Sequence, residues 1–134
     1  MKPLSPRAPR SPPQRILLVE DEPALAEILE AFLKAHGRFE VVLARDEADA
    51  LAKAHKSPPD VAVLDLEVRD LDGAGLLEKL RAGDALLPAL ACAGRDASEP
   101  APGFDALFLK PLDLTSVLAQ VERLLEDRGR RGRR

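Results

Sequence analysis

Tryptophan and tyrosine are missing from this sequence, and the chain has a single cysteine, Cys92, among 134 residues. One cysteine excludes an internal disulfide and a zinc site built from cysteines, and it is typical of a reducing compartment. No apolar run is long enough to span a membrane, and the first residues lack the apolar segment of a signal peptide. We therefore expect a cytoplasmic protein, and its length fits one domain with a sizeable core.

Acidic residues are missing from both ends of the chain. Residues 1–15 carry four basic residues and no acid, and residues 128–134 carry five arginines and no acid. Residues 16–127 hold all 23 acids against 11 lysines and arginines, a formal charge of −12. Because the arginine-rich end has no aromatic side chain for base stacking and the acidic body would repel nucleic acid, we expect a solvated tail or a protein contact there rather than nucleic acid.

Composition divides the chain into three parts. Residues 1–13 contain five prolines and little to bury, which predicts a disordered leader over residues 1–14. The sequence RGRRGRR at 128–134 is too polar and too interrupted by glycine to fold alone, and we interpret it as a basic tail. One folded domain is expected between them, over residues 15–127.

Strand and helix patterns follow one another through that domain. Apolar runs predict strands over residues 15–19, 39–43, 61–64, 86–92 and 106–109. Apolar residues at helical spacing predict helices over residues 23–35, over 46–55 with Asp46 as N-cap, over 73–81, and after Asp113, which caps the last one. Continuously apolar strands separated by helices are typical of a parallel sheet covered on both faces. The pattern thus predicts a doubly wound α/β fold, which binds its ligands at the carboxyl ends of the strands.

Polar residues follow three of these strands at their carboxyl ends. Glu20 and Asp21 come after the first strand, Asp65 ends the third, and Lys110 ends the fifth. Oxygen ligands without histidine or cysteine suit a hard divalent cation such as Mg²⁺, and a nearby lysine suits an anion with several oxygens, such as a phosphoryl group. The set therefore predicts a site where a carboxylate could act as nucleophile toward phosphorus.

Each of these residues also has an ordinary structural interpretation. Asp21 and Glu22, just before Pro23, would make a good helix N-terminus, where negative charge is favourable. Asp65 alone could cap a loop, and Lys110 alone would usually be solvated. The convergence of all of them on one sheet edge favours the acidic site over these separate roles.

Three motifs occur in a characteristic order: VEDEP at 19–23, VAVLDLEVRDLDGAGLL at 61–77 and FLKP at 108–111. With them, residues 15–127 resemble the response-regulator receiver domain of two-component signalling. The resemblance implies a flavodoxin-like sheet of five strands in the order 2-1-3-4-5.

The resemblance also implies roles for the acidic residues. Asp65 would be the phospho-acceptor and Lys110 would pair with the phosphoryl oxygens. Asp21, Asp65 and, less directly, Glu20 would bind Mg²⁺ together with the main-chain carbonyl of Glu67. A histidine kinase or phosphotransfer protein would be the phosphodonor and an unknown protein the downstream partner. We expect a stand-alone receiver, since few residues remain after 127 for an output domain, and no enzyme activity beyond self-catalysed phosphorylation and dephosphorylation.

Two positions depart from the family pattern. Ala93 stands where the family ends its fourth strand in Thr or Ser, and Leu107 stands where it has Tyr or Phe three residues before the lysine. Phe108 is adjacent to Leu107 but should face the other way. Both halves of the usual switch are therefore missing, and we expect a non-standard one.

The segment between the fourth and fifth strands is also shorter than in the family and contains Pro100 and Pro102. It predicts a fourth helix that is short or missing. Ordering of the 94–105 loop could replace the usual switch, with Ser98 as a candidate hydroxyl.

Three other classes of function stay open. A pseudo-receiver would be an interaction module that works without phosphorylation and keeps the acidic pocket as a remnant. A nucleic-acid or membrane binder would work through the arginine tails. An aspartyl phosphatase would need a second Asp two residues after its nucleophile, where this chain has Glu67.

Overall fold

The computed structural model of the protein describes residues 13–97 and 102–132. Its elements are β1 (Arg15–Val19), α1 (Pro23–Gly37), β2 (Glu40–Ala44), α2 (Glu47–Lys56), β3 (Val61–Asp65), α3 (Gly73–Gly83), β4 (Ala89–Ala93), β5 (Ala106–Leu109) and α4 (Leu114–Gly132). The strands pair in parallel in the order β2-β1-β3-β4-β5. The predicted doubly wound α/β fold and its flavodoxin-like strand order are confirmed.

Apolar side chains bury the sheet on both faces. Ile16 and Leu18 of β1 pack in one cluster with residues of α1 and α4. Leu17 and Val19 pack in a second cluster with residues of α2 and α3. Because successive side chains of a strand point to opposite faces, a strand covered on both sides needs an unbroken apolar stretch, which residues 16–19 of β1 and 61–64 of β3 supply.

The four helices in the described ranges begin where the sequence predicts. Asp46 caps α2 and Asp113 caps α4, since their carboxylates accept hydrogen bonds from backbone amides of the first turn. Helix α1 begins at Pro23, as predicted, and Glu22 occupies its N-cap without a side-chain hydrogen bond. Glu22 thus places negative charge at the helix N-terminus but forms no capping bond there.

Helix α4 extends past the predicted end of the domain at residue 127 and continues to Gly132. Arg128 donates to the main-chain oxygen of Asp60 at 3.2 Å and to the carboxylate of Asp84 at 2.5 Å. These contacts attach the start of the arginine-rich segment to the domain, which corrects the expectation of a separate tail from residue 128. The predicted leader, except for residues 13 and 14, lies outside the described residues, as do residues 133 and 134.

Strand β4 begins three residues later than the sequence predicts. The amide of Leu87 donates to the carbonyl oxygen of Asp84, so residues 84–87 form a turn, and Pro88 has no amide for a strand ladder. Between β4 and β5 the described residues, 94–97 and 102–105, form turns and no helix. This agrees with the predicted loss of the fourth helix, while Ser98 lies outside the described residues.

None of the helices in the described ranges is both long and apolar enough to cross a lipid bilayer.

Candidate functional site

The carboxyl edge of the sheet brings the predicted site residues together. Strands β1 and β3 are neighbours, so Glu20, directly after β1, lies beside Asp65 at the end of β3. The amide of Lys110 donates to the carbonyl oxygen of Ala93 at 2.8 Å, which fixes the end of β5 against the end of β4. The topology of a parallel sheet therefore accounts for the convergence.

Asp65 is held from both sides. Its side chain is 4% exposed, and its Oδ2 lies 2.6 Å from Nζ of Lys110. Its Oδ1 accepts a hydrogen bond of 2.8 Å from the amide of Glu67. Both oxygens thus have a fixed donor, and the carboxylate keeps one orientation at the rim of the core.

Glu20 is the second buried carboxyl of the site, with 2% of its surface exposed. Its Oε2 accepts a hydrogen bond of 3.0 Å from the amide of Glu22, which explains why the chain turns directly after β1. Burial, together with a hydrogen bond with the Asp65 carboxyl, raises the pKa of Glu20 to about 8. Glu20 therefore keeps its proton to a higher pH than an ordinary glutamate does.

The pKa of Asp65 is shifted the other way. Burial alone would raise it, but the hydrogen bonds from the Glu20 carboxyl and from Lys110 lower the pKa of Asp65 below its ordinary value. Burial acts to lower the pKa of Lys110, and its hydrogen bonds to Asp65 and Glu67 raise that pKa above the usual range. The two buried carboxyls are thus shifted in opposite directions, and the contacts of Lys110 favour its charged form.

Asp21 and Glu67 lie at the exposed side of the site. Oδ2 of Asp21 accepts a hydrogen bond of 3.1 Å from the amide of Arg69, which joins the loop after β1 to the loop after β3. The carboxylate of Glu67 reaches Lys110, with Oε1 at 3.0 Å from Nζ. The sequence assigned only the main-chain carbonyl of Glu67 to the site and missed this side-chain contact.

The residues offer oxygen ligands for a cation. In the part of the chain that the structure describes, no three Asp, Glu, His or Cys side chains already form a metal-binding group. The two buried carboxyls, Glu20 and Asp65, nevertheless lie at the carboxyl ends of the neighbouring strands β1 and β3, and a divalent cation favours sites where carboxylates are brought together. An oxygen-only donor set at this edge fits Mg²⁺.

The two positions at which the sequence departs from the usual switch, Ala93 and Leu107, are apolar. Ala93 ends β4, is 6% exposed and has no hydroxyl. Cys92 belongs to the core cluster under α1 and α4, and burial raises the pKa of its thiol to about 12, so it is not a reactive nucleophile. Phe108 packs against the same cluster, which by strand alternation leaves Leu107 on the opposite face, as predicted.

Comparison with known proteins decides the family. The model described as response regulator receiver domain matches residues 16–122. The chain belongs to this family. Receiver domains are signalling domains of two-component systems that interact with histidine kinases and downstream effectors, and they are not enzymes in the ordinary sense.

Several curated relatives of this receiver domain come from mycobacteria. The transcriptional regulatory protein TrcR of Mycobacterium tuberculosis is 36% identical over 118 residues, covering 84% of this chain and 46% of TrcR. The response regulator MprA of Mycobacterium sp. (strain KMS) is 37% identical over 118 residues, covering 84% of this chain and 51% of MprA. The chain thus spans about half the length of the curated relatives it matches.

Solved structures agree on the fold. A CheY-like receiver domain from Methanospirillum hungatei superposes with a TM-score of 0.79 at 23% identity, covering 90% of this chain and 99% of that one. A putative response regulator from Chloroflexus aurantiacus gives a TM-score of 0.78 at 25% identity, covering 86% of this chain and 99% of that one. The receiver fold therefore extends over nearly all of this chain.

Proposed function

We propose that this receiver domain accepts a phosphoryl group on Asp65 in the presence of Mg²⁺ and signals by protein–protein contact. One observation carries the proposal. The buried carboxylate of Asp65 is paired with Lys110 at 2.6 Å, at the sheet edge that also holds the buried carboxyl of Glu20.

The geometry supplies what phosphoryl transfer needs, which is mainly positioning and neutralisation of charge. Asp65 is ionised, so an oxygen lone pair is free to attack phosphorus. The bond between phosphorus and its donor breaks as the new O–P bond forms, and the leaving group takes the bonding electron pair. Lys110 lies beside the attacking group and would neutralise charge on the phosphoryl oxygens.

Four residues would hold the metal ion. They are the carboxylates of Glu20, Asp21 and Asp65 and the main-chain carbonyl of Glu67. Bound Mg²⁺ would supply further charge neutralisation at the phosphoryl oxygens. Glu20 must lose its proton to take part, because only the carboxylate form binds a cation well.

A histidine kinase or phosphotransfer protein would supply the phosphoryl group, and the downstream partner would be a protein. Transmission from the site cannot use a hydroxyl at the end of β4 or an aromatic side chain three residues before the lysine, because Ala93 and Leu107 stand there. We therefore propose a switch of another kind, in which the short segment between β4 and β5 takes part.

Phosphorylation by a small donor tests this function directly. The protein is incubated with acetyl phosphate and Mg²⁺, and its intact mass is measured. The expected result is a gain of one phosphoryl group that disappears in Asp65→Asn and when EDTA removes the metal. If neither acetyl phosphate nor a histidine kinase modifies the parent protein, the domain is a phosphorylation-independent interaction module instead.

A further inference from the structure

Lys110 is shared between two carboxylates in this structure. Its Nζ lies 2.6 Å from Oδ2 of Asp65 and 3.0 Å from Oε1 of Glu67. The Asp65 side chain is 4% exposed, whereas the Glu67 side chain is 52% exposed. Lys110 thus has one buried partner, the proposed acceptor Asp65, and one exposed partner, Glu67. A phosphoryl donor has to reach Asp65 from the solvent side, where Glu67 lies.

The backbone leaves room for Glu67 at this position. Gly94 directly follows β4, and a Cβ added there would lie 2.3 Å from Oε2 of Glu67. Any other residue at 94 would push the carboxylate aside. The carboxylate of Glu67 therefore lies close both to the residue that follows β4 and to the ammonium of Lys110.

We propose that Glu67 is a built-in competitor for Lys110 that slows the loading of a phosphoryl group onto Asp65. The inference rests on the proposed function and adds a regulating residue to the same site. A phosphoryl group on Asp65 carries negative oxygens that need the lysine ammonium. The carboxylate of Glu67 already occupies one of the three N–H donors of Lys110. It also repels an incoming anion by like charge.

The chemical step is unchanged by this competition. With acetyl phosphate as donor, an oxygen of Asp65 forms the new bond to phosphorus while the phosphorus–oxygen bond to the acetyl group breaks, and acetate leaves with the electron pair. Glu67 takes no part in either bond. It must only move away from Lys110, which its exposure to solvent permits.

The test compares Glu67→Gln with a matched control. Glu67→Gln keeps the side-chain shape and the main-chain carbonyl but removes the charge. The control is Glu27→Gln, because Glu27 is an exposed carboxylate of α1 that lines the shallow pocket beside Glu20 and Asp21. Rates of phosphorylation by acetyl phosphate at fixed Mg²⁺ are measured by intact mass, and thermal unfolding confirms that each variant is folded.

We expect Glu67→Gln to be phosphorylated about three to ten times faster than the parent, a range set by the strength of an exposed ion pair together with like-charge repulsion. Glu67→Asp, which keeps the charge but shortens the reach, should fall between the two. The ratio of Glu67→Gln to parent should shrink toward one near 1 M salt, where the Debye length is about 3 Å. Glu27→Gln should stay within about twofold of the parent, since its charge is screened by solvent.

Two other results would overturn the inference in different ways. If the parent is phosphorylated but Glu67→Gln is no faster, or slower, then Glu67 is not a competitor and the proposed function still holds. If neither the parent nor any variant accepts a phosphoryl group, the proposed function fails and the competition fails with it. Phosphorylation of Glu67→Gln without phosphorylation of the parent would be the strongest support.

Discussion

The metal-free protein should lose stability as the pH rises from acidic to mildly alkaline values, because of Glu20. Its carboxyl is 2% exposed, and burial together with the hydrogen bond to Asp65 raises its pKa from 4.5 to about 8. In the unfolded chain the same carboxyl ionises at its ordinary value. Between these two pH values the folded state holds a proton that the unfolded state has lost, so raising the pH favours unfolding.

The size of the effect follows from the shift. One pKa unit corresponds to about 1.4 kcal/mol, so a rise from 4.5 to about 8 corresponds to roughly 4–5 kcal/mol over the whole interval. Asp65 acts in the opposite sense but at lower pH. Its folded pKa is lowered, so its contribution is complete above its ordinary value of 3.8 and is lost as the pH falls through the folded pKa. Between the ordinary and the raised pKa of Glu20, the change in the free energy of unfolding with pH therefore reports mainly on Glu20 rather than on Asp65.

Urea unfolding of the parent and of Glu20→Gln in EDTA, at several pH values across that interval, measures the effect. Circular dichroism is the suitable signal, because the chain has no Trp or Tyr. The parent should lose free energy of unfolding relative to Glu20→Gln as the pH rises, and a difference that does not change with pH would refute the reasoning. Saturating Mg²⁺ should remove the decline, since the ion favours the carboxylate form.

Three further variants test the packing and the charge pair. Gly37→Ala should lower the free energy of unfolding by about 1–3 kcal/mol, because the added Cβ would lie 2.3 Å from the buried ring of Phe39. Gly83→Ala, which also changes the last residue of a helix but meets no atom within 4 Å, should raise it by about 0.4–1 kcal/mol; similar urea midpoints for the two variants would contradict this account. Lys110→Met should destabilise the metal-free protein by about 2–3 kcal/mol, because the buried carboxylate of Asp65 loses its partner; calorimetry showing no loss would mean that the pair contributes nothing to stability.

The order and type of the elements could be predicted because local patterns determine them. Continuous apolar strands, helical spacing and carboxylate caps such as Asp46 are properties of short segments. The ends of two elements were predicted less well. Arg128 in the last part of helix α4 is held by Asp84, which is distant in sequence. Strand β4 starts late because residues 84–87 form a turn before Pro88, a local feature that the apolar run Leu86–Leu87 concealed.

The convergence of Glu20, Asp65 and Lys110 could be predicted from the sequence because the ends of parallel strands meet at one edge. Which atoms pair at that edge could not. The contact of Glu67 with Lys110 depends on the conformation of the loop after β3 and on the space above Gly94, and the opposite pKa shifts of Glu20 and Asp65 depend on their burial and contacts. No local pattern carries that information.

The central claim is that this edge of the sheet is a metal-dependent phosphoryl site, and amide NMR titration tests it most directly. Mg²⁺ is added first and then beryllofluoride, a stable mimic of the phosphoryl group, to the parent and to Asp65→Asn. We predict that Mg²⁺ shifts the amides of residues 20–22 and 65–69, and that beryllofluoride then shifts those around Ala93 and Lys110 in the parent alone. Spectra unchanged by both ligands would contradict the account and leave the acidic edge without a role in phosphoryl transfer.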